Sequence, residues 1–268
     1  MPRRKLTAIV LAATAALALS ACSSSSSEPS GSAAAGADLG LVTDGTLTVA
    51  TEGTYRPFSF HDDSGELVGF DVEIAEAVAD KLGLEVAFQE TQWDAIFAGL
   101  DAGRFDVIAN QVSINPEREE KYLFSEPYTV SPGVVVVAED DDSISSFEDL
   151  DGKTTAQSLT SNWYELAEEN GATVEAVEGW AQAVALLEQG RVDATVNDSL
   201  TFLDYEKTNG PTGLKIAAET DEPGLSAFAF TKDKEALVEA IDEALAELRD
   251  EGVLAEISEK YFGEDVTQ

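Results

Sequence analysis

The sequence predicts an α/β protein of two similar lobes, each a mainly parallel sheet flanked by helices. Three observations predict it. From Gly45 onward, short apolar segments alternate with amphipathic helical patterns. This βαβ rhythm runs twice in succession, and a further strand and a long helix follow the second series. About 220 of the 268 residues lie downstream of an N-terminal leader and spacer, enough for one large domain or two small ones.

The leader comes first. Pro2 to Lys5 is basic, and Leu6 to Leu19 is apolar apart from Thr7 and Thr14. Small residues follow at Ser20 and Ala21, so residues 1–21 read as a secretory signal. The apolar run is shorter than the roughly 20 residues that span a bilayer. Leu19-Ser20-Ala21-Cys22 resembles the lipobox of bacterial lipoproteins, which implies lipidation of Cys22. The protein is then exported and held by lipid to a membrane, facing the periplasm or the cell exterior. Residues 22–44 are Ser-, Ala- and Gly-rich with few large apolar side chains, a flexible spacer.

In the first series, Leu47-Thr48-Val49-Ala50 reads as a strand, followed by turn residues from Glu52 to Pro57. Val72, Ile74, Ala75, Val78, Ala79 and Leu82 form one helical face, and Val86-Ala87-Phe88 is the next strand. Thr91 with Asp94 resembles a capping box that opens a helix to about Ala102. Val107-Ile108-Ala109 is a third strand. The second series contains the run Val134 to Val137, strands at Thr154-Thr155-Ala156, Val174 to Val177 and Ala194 to Val196, and helices from Asn162, Trp180 and Ser199. Phe228-Ala229-Phe230 and a helix over Lys234 to Arg249 follow.

Composition excludes several functions. Sixteen Lys and Arg face 52 Asp and Glu, a formal net charge of −36; loss of Arg3, Arg4 and Lys5 with the signal takes it to −39. Phosphate binding demands the opposite sign, so no nucleic-acid partner is expected. Attraction to an anionic membrane is disfavoured too, which leaves anchoring to the lipid. Acids are spread along the chain, and Glu139 to Asp142 is the one unbroken run of four. No cofactor and no metal site are expected. The lone His61 sits in the turn-like His61-Asp62-Asp63-Ser64-Gly65 and reads as an exposed residue. Cys22 is the only cysteine, so the folded part has no disulfide and relies on its core.

Specific motifs are shared with a known family. Glu52-Gly53-Thr54-Tyr55-Arg56-Pro57-Phe58-Ser59-Phe60 and Gly69-Phe70-Asp71-Val72-Glu73 resemble the N-terminal signature of the amino-acid-binding proteins that feed ABC importers. Trp93-Asp94, Gly103-Arg104-Phe105-Asp106-Val107, Pro116-Glu117-Arg118 and Phe124-Ser125-Glu126-Pro127-Tyr128 also match, as do Gly190-Arg191-Val192-Asp193-Ala194, Asn197-Asp198 and the tail from Leu248 to Gly263. The resemblance covers about Gly45 to Phe262. It implies a two-lobed periplasmic-binding-protein (Venus-flytrap) fold, with residues 45–132 and 227–268 in lobe 1 and 133–226 in lobe 2. Ala109-Asn110-Gln111-Val112 and Ala156 to Asn162 resemble the cystine-binding branch.

An amino acid presents a carboxylate and an ammonium on one carbon, so its binder needs a fixed cation and a fixed anion that converge. Asn115 as N-cap and Pro116 at the first helical position place Arg118 in a first helical turn. Its charge opposes the helix dipole there, and its fork matches a carboxylate. Asp198, between a strand end and a helix, is the candidate partner of the ammonium and equally an N-cap. The resemblance implies Tyr55 and Trp93 as aromatic walls, Gln111 and Ser113 as polar contacts from lobe 1, and Thr160 and Ser161 from lobe 2. It places Glu52 toward the ligand side chain. Thr160 and Ser161 read equally as helix caps.

The implied device is a monomeric hinged clamp that closes on an amino acid, cystine in this reading, and presents it to importer membrane subunits. Another polar or acidic amino acid as ligand is the alternative. A dehydratase-like enzyme on the same scaffold needs a general acid placed against the leaving group; Glu52 or Asp198 could fill that role, but no extra catalytic group stands out. A sensory domain would need a separate signalling partner.

Overall fold

The computed structural model describes residues 38–268. The signal peptide, Cys22 and residues 23–37 of the spacer lie outside the described residues. Leu39, expected within the spacer, is buried in the first core, and the Val42 amide donates to Asp106 at 2.7 Å. The fold therefore takes hold of the chain before residue 44.

The first sheet runs in the order β5 (Glu85–Glu90), β1 (Thr46–Thr51), β6 (Val107–Ser113), β14 (Gly224–Thr231), β7 (Tyr122–Phe124), and β8 (Thr129–Ser131) pairs with β14. β1 is parallel to both β5 and β6, whereas β14 is antiparallel to β6, β7 and β8. The helix α1 (Phe70–Leu82) lays Ile74, Val78 and Leu82 against this sheet, together with α7 (Glu235–Asp250) and α8 (Val253–Phe262). Burial of each such side chain stabilises by about 1.5–3 kcal/mol. On the other face, α2 (Trp93–Asp101) packs Ile96 and Leu100 against Ile108 and Val112. Asp106, fully buried, accepts from the Thr48 amide at 3.0 Å and from Lys234 Nζ at 3.1 Å, and so fastens the entry strand to the C-terminal helical layer.

The second region contains β9 (Gly133–Ala138), β10 (Thr154–Ser158), β11 (Thr173–Val177), β12 (Thr195–Asp198) and β13 (Leu214–Glu219). β10 and β11 are parallel, a Thr155–Ala194 bridge runs parallel beside β10, and β9 is antiparallel to β12 and β13. Both regions are thus mixed rather than mainly parallel, because β9 and β14 enter their sheets from the connections between the regions. Val134 and Val136 join one core with Ala183 and Leu187, and Val135 and Val137 join another with Leu150 and Ala194. A strand covered on both faces has no need of polar alternation, which explains its four consecutive valines. The helices α4 (Asn162–Glu169), α5 (Trp180–Glu188) and α6 (Ser199–Asn209) cover this region.

A three-stranded hairpin unit, β2 (Thr54–Tyr55), β3 (Ser59–His61) and β4 (Leu67–Val68), sits over the start of α1. The Phe70 and Asp71 amides donate to the Pro57 and Phe58 carbonyls, both at 3.0 Å, so hairpin backbone takes the place of a side-chain cap. Only glycine fits before that helix: Gly69 has φ 141°, and a Cβ there would stand 2.1 Å from the Phe58 oxygen. His61 is exposed, as expected, but ends β3 and faces Glu90 at 2.9 Å.

Candidate functional site

A cavity of about 220 Å³ opens between the two regions, beyond the carboxyl ends of their parallel strands. Open α/β sheets place ligands there, since the loops leaving those ends are free to converge. Glu52 follows β1, Trp93 opens α2 after β5, and Asn110 and Gln111 lie in β6. From the opposite side come Gln157 and Ser158 of β10, Asn162 and Trp163 of α4, Trp180 of α5 and Asn197 of β12.

Of the side chains singled out in the sequence, Glu52, Tyr55, Trp93, Gln111 and Ser161 line this cavity. Ser113, Arg118, Thr160 and Asp198 adjoin it without being among its walls. The helix α3 (Pro116–Lys121) starts at Asn115, whose side chain accepts from the Arg118 amide at 2.8 Å, and has Pro116 in its first turn. Arg118 is 8% exposed, stacks 5.3 Å from the Trp93 ring centre and 5.4 Å from that of Phe97, and donates from Nη1 to the Ser113 carbonyl at 3.0 Å. It takes part in none of the ion pairs among the described residues. Burial lowers its pKa to about 10, which leaves it charged at neutral pH.

The acids of the site show the complementary strain. Burial raises the Glu52 carboxyl to about 7 despite a bond from Asn110 Nδ2 at 2.9 Å. Asp71, fully buried, is raised to about 7 by burial although the Gln111 backbone and side-chain amides donate to it at 2.7 and 2.6 Å. Asp198 is raised to about 6, again by burial; it caps α6 through the Leu200 amide at 2.8 Å and accepts from the Ser131 hydroxyl. Glu52 lines the cavity, Asp71 stands behind its wall on Gln111, and Asp198 and the unpaired Arg118 adjoin it; this set suits a zwitterion whose ammonium and carboxylate compensate both.

Gln111 adopts φ 50°, a left-handed conformation rare outside glycine, and its Oε1 is buried without a partner. The hydroxyl of Thr160, expected as a ligand contact, donates instead to Asp94 at 2.9 Å. That bond also replaces the expected Thr91–Asp94 capping box: Gln92 is the N-cap of α2 and forms no side-chain cap bond. Ser161 caps α4 through the Tyr164 amide at 3.1 Å.

Asn162, Gln157, Asn197 and Asn110 were absent from the sequence-based site. Asn162 Oδ1 stands 3.3 Å from Ser113 Oγ and 3.5 Å from Arg118 Nη1, and Asn197 accepts from the Tyr55 hydroxyl at 2.9 Å. A signal for one of them is present: Asn110 interrupts the apolar run Val107-Ile108-Ala109, and a buried polar residue is more informative than a buried apolar one.

Among the described residues no group of His, Cys, Asp and Glu is arranged to hold a metal, and no helix is long and apolar enough to cross a membrane. The family model of the bacterial extracellular solute-binding proteins, family 3, matches residues 47–264. A probable amino-acid ABC transporter-binding protein of Haemophilus influenzae is 53% identical over 83% of this chain and 87% of its own length. The L-cystine-binding protein TcyA of Bacillus subtilis is 53% identical over 84% of each chain. The L-cystine solute receptor of Neisseria gonorrhoeae, solved in an unliganded open conformation, is 47% identical over 83% of this chain and 95% of that one. Its TM-score is 0.59, low for that identity.

Proposed function

The chain belongs to the bacterial extracellular solute-binding proteins of family 3, and from that premise we propose that it captures L-cystine outside the cytoplasm and hands it to an ABC importer. It is a binder and not an enzyme, like the relatives it matches. The observation that carries the reading is Arg118: a buried, charged guanidinium without an ion-pair partner beside a cavity walled by carboxylate and amide groups. A ligand carboxylate supplies the missing anion. The ammonium of the same head is drawn to Asp198, Asp71 and the unpartnered Gln111 Oε1.

Residues 45–132 and 227–268, expected as one lobe, would move together with Gly224–Ser226, which join them in β14, against the rest of 133–226, with the segments around Pro132 and Thr220 as hinges. These two segments are already joined: the Thr220 amide donates to the Gly133 carbonyl at 2.9 Å. Bonds from Tyr55 to Asn197 and from Thr160 to Asp94 bridge the proposed lobes, which supports a closed clamp. Closure needs ligand contacts available only in that form. The lipid anchor at Cys22 belongs to the same reading, and a Cys22→Ser protein released from membranes would support it.

Calorimetric titration of the exported part with a panel of amino acids tests the function. L-cystine should bind, and the signal should vanish on adding a reductant, because the protein has no disulfide of its own to lose. Binding of another amino acid with none of cystine would replace the ligand and keep the class. Silence across the panel from the folded, ligand-free protein would overturn the reading.

A further inference from the structure

Two helix N-termini from the second region open into the one cavity, and they are finished differently. α4 is closed by the Ser161 side chain, which accepts from the Tyr164 amide at 3.1 Å. α5, nine residues long, begins at Gly179, which has no side chain to offer. Gln182 and Ala183 donate back to the Gly179 carbonyl, whereas the Trp180 and Ala181 amides take no backbone or side-chain acceptor among the described residues. Gly179, Trp180 and Ala181 all line the cavity.

A second, independent group stands beside this helix end. Gln157 is 3% exposed, lines the same cavity, and its Nε2 is buried without a partner. Its Oε1 is fixed by the Thr155 hydroxyl at 2.9 Å, so the amide is oriented and its donor end is the unpaired one. An unsatisfied buried donor costs roughly 1–3 kcal/mol, and a fold that keeps one next to uncapped backbone amides is suited to receiving an acceptor. β10 and β11 run in parallel register, Gln157 opposite Ala176 and Ser158 opposite Val177, so Gln157 and the start of α5 share one strand-end ledge.

We propose that this ledge is a subsite for a second carboxylate, formed by Gln157 Nε2 and the Trp180 and Ala181 amides at the N-terminus of α5. Backbone amides at a helix start favour an anion by their direction and by the helix dipole. No Lys or Arg is among the residues lining this cavity, and Arg118, which adjoins it, serves the first carboxylate, so at the second the helix end and Gln157 supply the positive potential. Glu178, which also lines the cavity and is held by Gln182 Nε2 at 3.2 Å, provides a negative group for an adjoining ammonium. The ligand class is therefore a two-headed diamino dicarboxylic acid, with one head at Arg118 and the other at α5. This deepens the proposed function and rests on it.

The test compares L-cystine with the mixed disulfide of cysteine and cysteamine, which keeps both ammonium groups and the disulfide but lacks one carboxylate. Titrated calorimetrically into the parent protein, cystine should bind about tenfold or more tightly, as expected for loss of charge-assisted hydrogen bonds. In Gln157→Leu, cystine should weaken while the truncated disulfide should bind as before, so the ratio contracts. Equal affinity of the two ligands for the parent, or an equal loss of both in Gln157→Leu, would overturn the subsite and leave the cystine reading standing. Failure of both ligands to bind the parent would overturn the reading and the subsite together. Circular dichroism and thermal unfolding of the ligand-free Gln157→Leu variant establish its fold independently of either ligand, so an equal loss of both ligands is read only from the folded variant.

Discussion

The hydroxyl of Tyr55 donates to Asn197 Oδ1 at 2.9 Å across 142 residues of sequence, and Thr201 Oγ1 donates to the same hydroxyl at 3.1 Å. One phenol thus ties the hairpin unit over the first sheet to β12 and α6 of the second region. Tyr55→Phe keeps the ring and removes only this connection. The closed form should lose about 0.5–1.5 kcal/mol, read as weaker ligand binding, while the unfolding midpoint of the ligand-free protein changes little. Titration beside thermal unfolding checks it; unchanged affinity would show that the bond contributes nothing to closure.

Arg118 carries the largest expected effect. Arg118→Met preserves much of the packing on Trp93 and Phe97 but leaves the ligand carboxylate unpaired, at a cost of roughly 2–5 kcal/mol in affinity. The ligand-free variant should be at least as stable as the parent, because an unpaired buried charge is gone. Parent-like affinity in the variant would remove Arg118 from the site.

The raised acids give the ligand-free protein a definite pH dependence. Glu52 moves from 4.5 to about 7 and Asp71 from 3.8 to about 7. Between those values the native state holds protons that the unfolded chain has released, so stability falls as pH rises through this window. The acidic surface acts in the same direction, which makes the difference between proteins the useful quantity. Thermal unfolding between about pH 5 and about pH 7, inside that window, should show a shallower decline for Glu52→Gln than for the parent. Parallel curves would mean that Glu52 titrates at its ordinary value.

Gly69 tests the support of the site rather than its chemistry. A Cβ there would meet the Phe58 carbonyl at 2.1 Å, and the backbone is already at φ 141°. Gly69→Ala should cost at least about 1–3 kcal/mol of stability and weaken ligand binding, because the hairpin that carries Tyr55 must shift. Urea unfolding gives the first quantity; a midpoint equal to that of the parent would contradict the packing described.

Much of this protein is legible in its sequence because the deciding interactions are local. The face of α1 is written in the spacing of Ile74, Val78 and Leu82, the start of α3 in Asn115-Pro116, and the doubly buried β9 in four valines. The family motifs place Glu52, Tyr55, Trp93, Gln111 and Ser161 in groups that the fold brings to one cavity. Tertiary structure alone decided the rest. The cap of α2 is set by competition for Asp94, which Thr160 wins from 66 residues away. The mixed sheets arise because β14 returns to pair with β6, β7 and β8, a choice no local pattern encodes. The donors left over at Gln157 and the start of α5 are visible only once every neighbouring acceptor is in place, since a hydrogen bond is missing only relative to what surrounds it.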